Sequence, residues 1–303
     1  MKTTSNLWLT VGLLFTLSPL FSQSSVKTDS TGLPGDDFSL EGALELFKKA
    51  SSPEEFEKLL NSENNHVNNL DLNGDGEIDY IKVIDHMDKD VHALVLQATV
   101  SSSENQDIAV IEIEQDGKES AVLQIIGDEE IYGDAVIVEP QEEEDAIKSK
   151  KGPSVSMDEA LIVNVWYWPS VRFIYAPLYR PWVSPWRWGN YPGWWRPWRP
   201  LGWHVFHPFR MHYRTGYIVS PVHRVVRAHR VYTPVRVSSV TVRTRHHAAV
   251  NNHRVNRTKT TVTAGRGNHQ VKATKTRTTV SGKKGNTKVK ATKTRSTLNR
   301  KKR

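Results

Sequence analysis

Nine consecutive residues carry the sharpest chemical pattern in the chain: Asp71-Leu72-Asn73-Gly74-Asp75-Gly76-Glu77-Ile78-Asp79. A hard divalent cation wants about six to eight oxygen ligands. Oxygen-bearing side chains at alternating positions, a glycine at the sharp turn and a carboxylate just beyond it wrap such ligands round one centre. Asp71, Asn73, Asp75 and Asp79 would supply side-chain oxygens, Glu77 its backbone carbonyl, and water the remainder. Ile78 would anchor the loop in a core. The ion expected is Ca²⁺, at one site, with weak affinity of roughly 10⁻⁴ to 10⁻³ M. The same residues also read as a plain Asn-Gly-Asp-Gly turn, built from types that tolerate left-handed backbone.

The stretch resembles the calcium loops of EF-hand and dockerin modules. It is closer to the D-x-D/N-x-D-G-x-x-D loops of thrombospondin type 3 and integrin-like repeats. An EF-hand would place a bidentate Glu at the twelfth loop position; here that residue is Lys82, and a strand rather than a helix is expected to follow. The resemblance therefore implies a single structural ion and no opening sensor. An Asp-Gly-rich loop joined to a Trp-Arg-Pro segment also resembles secreted bacterial proteins, which implies no activity.

That second segment is the other place where residue types suggest chemistry. Nine of the ten Trp lie between Trp166 and Trp203, interleaved with Arg and Pro. Trp182, Trp186, Arg187, Trp188, Trp194, Trp195, Arg196, Trp198 and Arg199 are the candidate residues for binding polyanions or a membrane surface. Indole rings are amphipathic, guanidiniums stack on them, and frequent Pro holds the chain extended. Over 180–200 the composition resembles Trp/Arg/Pro-rich cationic host-defence peptides. The in-chain alternative is a β-hairpin: residues 162–168 and 171–175 would pair about Pro169-Ser170, extend a folded sheet and bury the remaining rings.

Charge is divided as sharply as aromatic content. All 33 acidic residues fall between Asp29 and Glu159, against 11 basic ones in the first 160 residues, a formal charge of −22 there. The remaining 30 Lys and Arg lie beyond, with no acid after Glu159. From 258 onward an 18-residue repeat recurs, with Thr258-Lys259-Thr260-Thr261-Val262 matched by Thr276-Arg277-Thr278-Thr279-Val280. Each unit has few aliphatics and many positive charges, so residues 221–303 are expected to be a largely disordered basic tail. Such a tail either folds back on the acidic half or captures anionic partners. The partners expected are anionic envelope components, acidic polysaccharide or extracellular DNA, with a membrane surface and self-association of acidic heads with basic tails as alternatives.

Catalysis has weak support. His66, His86 and His92 near carboxylates would be the hydrolase candidates, yet no nucleophile elbow, zinc-protease helix motif or phosphate loop accompanies them. No catalytic residue, organic cofactor or small-molecule substrate is expected, and the chain reads as a non-enzyme. His204/His207 and His246-His247 are weak metal candidates because Arg residues stand beside them. Zero Cys excludes disulfides, thiol catalysis and Cys-ligated metals.

The elements that must hold these groups follow from periodicity. Lys2, an apolar run from Leu7 to Leu17 and Ser22 form a signal-peptide pattern over 1–22, so the expected location is exported: periplasmic, envelope-associated or extracellular. A linker spans 23–38. Ser39 caps an amphipathic helix bearing Leu40, Ala43, Leu44 and Phe47, and Ser52-Pro53 opens a second bearing Phe56, Leu59 and Leu60. After the loop the period becomes two, over 78–84, 91–100, 108–114, 121–126 and 135–138, with Asp116-Gly117 as a hairpin turn. Residues 39–139 thus read as an α+β domain, two N-terminal helices on one face of a four- to five-stranded antiparallel meander. A linker (140–160), the Trp/Arg/Pro segment (161–220) and the basic tail (221–303) complete the chain. Asp128-Glu129-Glu130 and Asp134 read as a solvated acidic loop.

Overall fold

The computed structural model describes residues 30–141 and 162–256, and the backbone of 259–266, 269–284 and 287–302. The expected signal peptide, the start of the first linker and nearly all of the second lie outside the described residues.

Both N-terminal helices begin where the capping residues dictate. The Ser39 hydroxyl accepts from Gly42 N at 3.0 Å and opens α1 (Leu40–Lys49). Ser52 accepts from Glu55 N at 3.1 Å and opens α2 (Pro53–Leu60), with Pro53 in the first turn where its missing N–H costs nothing. Phe47 and Phe56 meet edge to face at 5.2 Å and close the helix pair.

A six-stranded antiparallel sheet follows, every strand pairing with the next: β1 (Ile81–Asp88), β2 (Val91–Thr99), β3 (Asn105–Gly117), β4 (Ser120–Gly127), β5 (Val136–Pro140) and β6 (Tyr217–Ser220). The meander is the expected one, but its β3–β4 turn falls at Lys118-Glu119, while Asp116-Gly117, expected to turn, end β3 at a register shift; β6 adds an edge strand from the end of the Trp/Arg/Pro segment. A bulge sets Leu96 opposite Ala109 but Gln97 opposite Asp107. Side chains of one sheet face, among them Val83, Leu94, Leu96, Ile111 and Leu123, pack beneath α1 and α2 in one buried core. Each such residue contributes about 1.5–3 kcal/mol by leaving water.

The opposite face is where the structure departs from expectation. It carries Ala93, Val95, Val110 and Ile126 but also the buried acids Asp107 and Glu112. Residues 221–256, read above as part of a disordered tail, fold onto the head: α6 (Val226–Tyr232) lies on β2 and β3 and covers that face, a 3-10 turn (Thr233–Val235) follows, and α7 (Val240–Asn256) meets α3 (Glu129–Tyr132). Val225, Ala228, Tyr232 and Val242 supply apolar burial, and charge pairing adds to it. Arg236 forks onto Asp128 (2.6 and 2.9 Å), Arg227 reaches Glu114 and Asp90 (both 2.7 Å), Arg224 meets Glu139, and Arg243 meets Glu130. The loop at 128–134 is correspondingly not a solvated one: Asp128 is buried, caps α3 and holds Arg236.

The hairpin alternative is also corrected. Residues 169–174 form α4 (Pro169–Ile174), with Pro169 at the start, and Val171 and Ile174 turned into the main core beside Trp168 and Phe47; α5 (Trp203–His212) comes later in the same segment. A proline that cannot donate to a sheet ladder is tolerated in a helix's first turn, so the local choice goes to helix. Beyond α7, the backbone of β7 (Lys259–Arg266), β8 (His269–Lys284) and β9 (Thr287–Lys302) forms a separate antiparallel sheet in sequential order. These strands end at 266, 284 and 302, in step with the 18-residue repeat. Among the described residues no helix is long and apolar enough to cross a membrane.

Candidate functional site

The loop 71–79 is pinned at its base before any ligand is considered. Asp79 N donates to Leu70 O at 2.8 Å, and the Asn68 amide donates to Asp79 O at 2.9 Å. Ile78 is buried, as its anchoring role requires, and its N–H reaches Trp198 O at 2.9 Å. Inside the loop, Asp71 Oδ1 accepts from Gly74 N and Asp75 N, and its Oδ2 accepts from Gly76 N at 3.0 Å. Asn73 Oδ1 accepts from Asp75 N, and Asp75 Oδ1 from Glu77 N, both at 2.9 Å. Gly74 and Gly76 hold φ of 74° and 85°, the left-handed region that favours glycine. Asp71, Asn73, Asp75 and Asp79 are therefore brought round one turn, while the Glu77 side chain points to solvent.

Two features bear on whether the loop could hold a cation. Each carboxylate has about four lone-pair positions, so one already serving backbone amides keeps acceptor capacity for an ion. Burial, reinforced by the charges of Asp71 and Asp75, pushes Asp79 up to about 8, as expected where negative groups converge without a counter-charge among them. Opposing this, Arg245 of α7 lays its guanidinium against Gly74, so closely that a Cβ there would collide with it. A cation from the chain itself thus stands at the rim of the loop, a feature no local pattern reveals.

The Trp/Arg/Pro segment docks directly beside this loop. Its anchor is Glu57, buried on α2, which accepts from Tyr80 Oη, Val83 N and Ser184 Oγ at 2.8–2.9 Å and from Trp182 Nε1 at 3.3 Å. Burial pushes the Glu57 carboxyl above its usual range against those four donors. Ser184 N and Trp182 O add backbone bonds to β1. The buried Trp195 meets Tyr80 edge to face at 5.1 Å, and a cleft of about 200 Å³ separates Asp75, Glu77 and Asp79 from Trp188, Tyr191 and Trp195.

The nine candidate residues consequently divide. Trp195 is core; Trp182, Trp186 and Trp198 are half-buried; Trp188 and Trp194 are 39 % and 47 % exposed. Arg187, Arg196 and Arg199 are exposed and make no ion pair among the described residues; Arg196 reaches only the carbonyls of Gly193 and Trp195. Lys58 lies 5.7 Å from the Trp194 ring and adds a positive charge to the same surface.

The hydrolase candidates do not assemble. His66 stacks on Phe209 at 3.8 Å, and His86 lies on β1. His92 is buried, with Nδ1 2.8 Å from Asp85 Oδ2, an oxygen that Tyr179 Oη also approaches at 2.9 Å; this trio ties the arm to β1 and β2. A constellation missed above lies on the opposite sheet face. Glu112 is fully buried between His223 Nε2 and His229 Nδ1, each 2.7 Å away. Burial and the charge of Glu114 push Glu112 up to about 9, while burial pushes both imidazoles down. A carboxylate at an inward position of the central strand was the legible half of that signal. The chain matches no family model, no curated protein and no solved structure.

Proposed function

We propose that the protein is a non-enzymatic, exported binding protein whose Trp/Arg/Pro arm captures anionic polymers, held on an α+β head that Ca²⁺ stabilises at 71–79. The supporting observation is a contrast in pairing. Arg172, Arg180, Arg187, Arg196 and Arg199 have no carboxylate partner among the described residues, while exposed indoles stand between the last three. Unpaired guanidiniums beside aromatic faces suit phosphate, sulfate or uronate groups carried on a flexible chain, through charge first and stacking second. Self-association through acidic head and basic tail has less left to drive it, because residues 210–254 already meet many head acids within one chain.

The test is salt-dependent binding of the full chain to dextran sulfate and to duplex DNA, with phosphatidylglycerol vesicles as the membrane arm. Replacing Arg187, Arg196 and Arg199 together by Ala should weaken binding and lower the log–log salt slope on DNA by about 2 to 3. An unchanged slope, or retention on vesicles alone, would reject the polymer reading.

A further inference from the structure

The geometry points to a transition-metal site at Glu112, His223 and His229, one that takes Zn²⁺ and fastens the 220–232 segment to the centre of the sheet. The three donor atoms lie within 4.8 Å of one another. Two imidazole nitrogens and a carboxylate oxygen are a donor set that zinc accepts, with water in a fourth, open position. In a tetrahedral zinc site with bonds of about 2.0–2.1 Å the ligand atoms stand about 3.4 Å apart, so the trio needs to move by no more than about 1 Å. Hydrogen bonds now hold both rings on the carboxylate. Zinc would take the place of the bridging protons, which pass to the other ring nitrogens or to solvent.

What distinguishes this trio from histidines that happen to meet an acid is the frame around it. Gln124 is the cross-strand partner of Glu112. Its amide donates to Val222 O at 2.9 Å, and its Oε1 accepts from Arg224 N at 2.7 Å. The backbone on either side of His223 is therefore fixed from the neighbouring strand. Glu114, two residues along β3 on the same face, accepts from Arg227 N and Ala228 N at 2.7 and 3.2 Å. That contact fixes the start of α6 and with it the position of His229. Supporting hydrogen bonds that orient ligands are what tune a metal site. The nearby cations are themselves engaged, Arg224 by Glu139 and Arg227 by Glu114 and Asp90, so they do not occupy the carboxylate of Glu112. Among the described residues no other set of three such donors comes together, His246-His247 included.

This site shares no residue with the loop at 71–79, whose candidate donors are all oxygens, or with the candidate residues of the arm. It is tested on the full chain, stripped with chelator and titrated with zinc alone while heat and far-ultraviolet dichroism are followed. We expect one tight equivalent, with affinity falling at least tenfold in each of Glu112→Gln, His223→Gln and His229→Gln, and unchanged in His247→Gln. Equal zinc affinity in the three variants and the native chain would overturn the site, as would the absence of binding by native protein at micromolar zinc. Where a variant fails to fold, His229→Cys gives an independent reading. The chain has no other thiol. Co²⁺ must therefore show a thiolate-to-metal absorption band in that variant if residue 229 is a ligand, and its absence would reject the proposal.

Discussion

Two arginine-rich stretches follow one another in this chain and meet opposite fates. Residues 172–199 leave their guanidiniums facing water, whereas six of the nine arginines in 210–254 reach acids of the head, among them Arg214 to Glu41, Arg224 to Glu139, Arg236 to Asp128 and Arg254 to Glu129. Composition alone treats the two as equally cationic. The difference lies in what each brings besides charge. The arm carries indoles, which anchor it by apolar burial at Trp195 and by hydrogen bonding at Trp182, leaving its charges free. The later segment buries smaller groups, Val225, Ala228, Tyr232 and Val242, and adds to them ion pairs and hydrogen bonds such as Ser239 N to Gln106. Where indoles supply the attachment, the charges remain for a partner; where ion pairs share it, fewer are left over.

The largest effect should come from breaking the ionic segment. Arg236→Ala leaves Asp128 buried and unpaired, a loss of about 3–5 kcal/mol. Urea unfolding of the variant should show it, with dextran sulfate binding intact wherever the protein is folded. Trp195→Ala removes the arm's apolar anchor and should cost about 3 kcal/mol. Unlike Arg236→Ala, it should also weaken polymer binding, since the arm loses its seat against Tyr80. If both variants behaved alike in binding, the division between the two stretches would be wrong.

Most of the head was readable locally because its determinants are local. Ser39 and Ser52 caps and the i, i+3, i+4 apolar spacing of Leu40, Ala43, Leu44 and Phe47 each act within a few residues, and the β3–β4 turn falls two residues past the expected Asp116-Gly117. The loop at 71–79 closed as its glycines and Asp71 demand for the same reason. The tail's fold depends on pairs more than a hundred residues apart, such as Asp107 with Val237 N and Gln106 with Ser239 N. No periodicity records those partnerships. The one clue was Asp107, Glu112 and Glu114 on the same face of a central strand, where unpartnered carboxylates are costly to bury. Arg245 over Gly74 and the paired histidines on Glu112 were illegible for the same reason: their partners are set by the path of the chain from residue 220 through α7.

Calcium sharpens the comparison from the loop side, because Ile78 N and Trp198 O join loop and arm. With a dissociation constant of roughly 10⁻⁴ to 10⁻³ M, 10 mM Ca²⁺ should stabilise the native protein by about 1.4–2.7 kcal/mol. Asp75→Asn should reduce the gain and Arg245→Ala enlarge it, since the guanidinium competes for the same charge. A melting temperature indifferent to calcium in both native protein and Arg245→Ala would leave the loop a plain turn.

Protonation probes the junction where the two stretches adjoin. Asp37 is pushed up to about 6, first by burial and then by the charge of Asp36, against a hydrogen bond from Asn69. Asn69 in turn holds Leu201 at both its N–H and its carbonyl. A carboxyl whose folded pKa is raised binds its proton more tightly in the native state. Its contribution is therefore complete below about pH 4 and is lost as pH climbs through 6. Asp37→Asn should remove that slope and gain about 1–2 kcal/mol at pH 7.5 relative to native protein, with no difference at pH 4. Paired urea titrations across this window measure it, and parallel curves for the two proteins would refute it.

The smallest effect on stability belongs to exposed rings that take part in binding. Trp188 and Trp194 are 39 % and 47 % exposed, so replacing either by Ala should move the unfolding free energy by less than about 1 kcal/mol. Removing both should nonetheless weaken dextran sulfate and single-stranded DNA binding by about 1–3 kcal/mol per lost stacking ring on DNA, and by less on the sugar polymer. The salt slope should stay unchanged, because no charge is removed. Arg187→Ala with Arg199→Ala should do the reverse, lowering the slope while stacking persists. If the indole variants altered the slope, or the arginine variants left it untouched, rings and guanidiniums would not be separate contributors. The exposed arm would then be held by something other than the chemistry its composition provides.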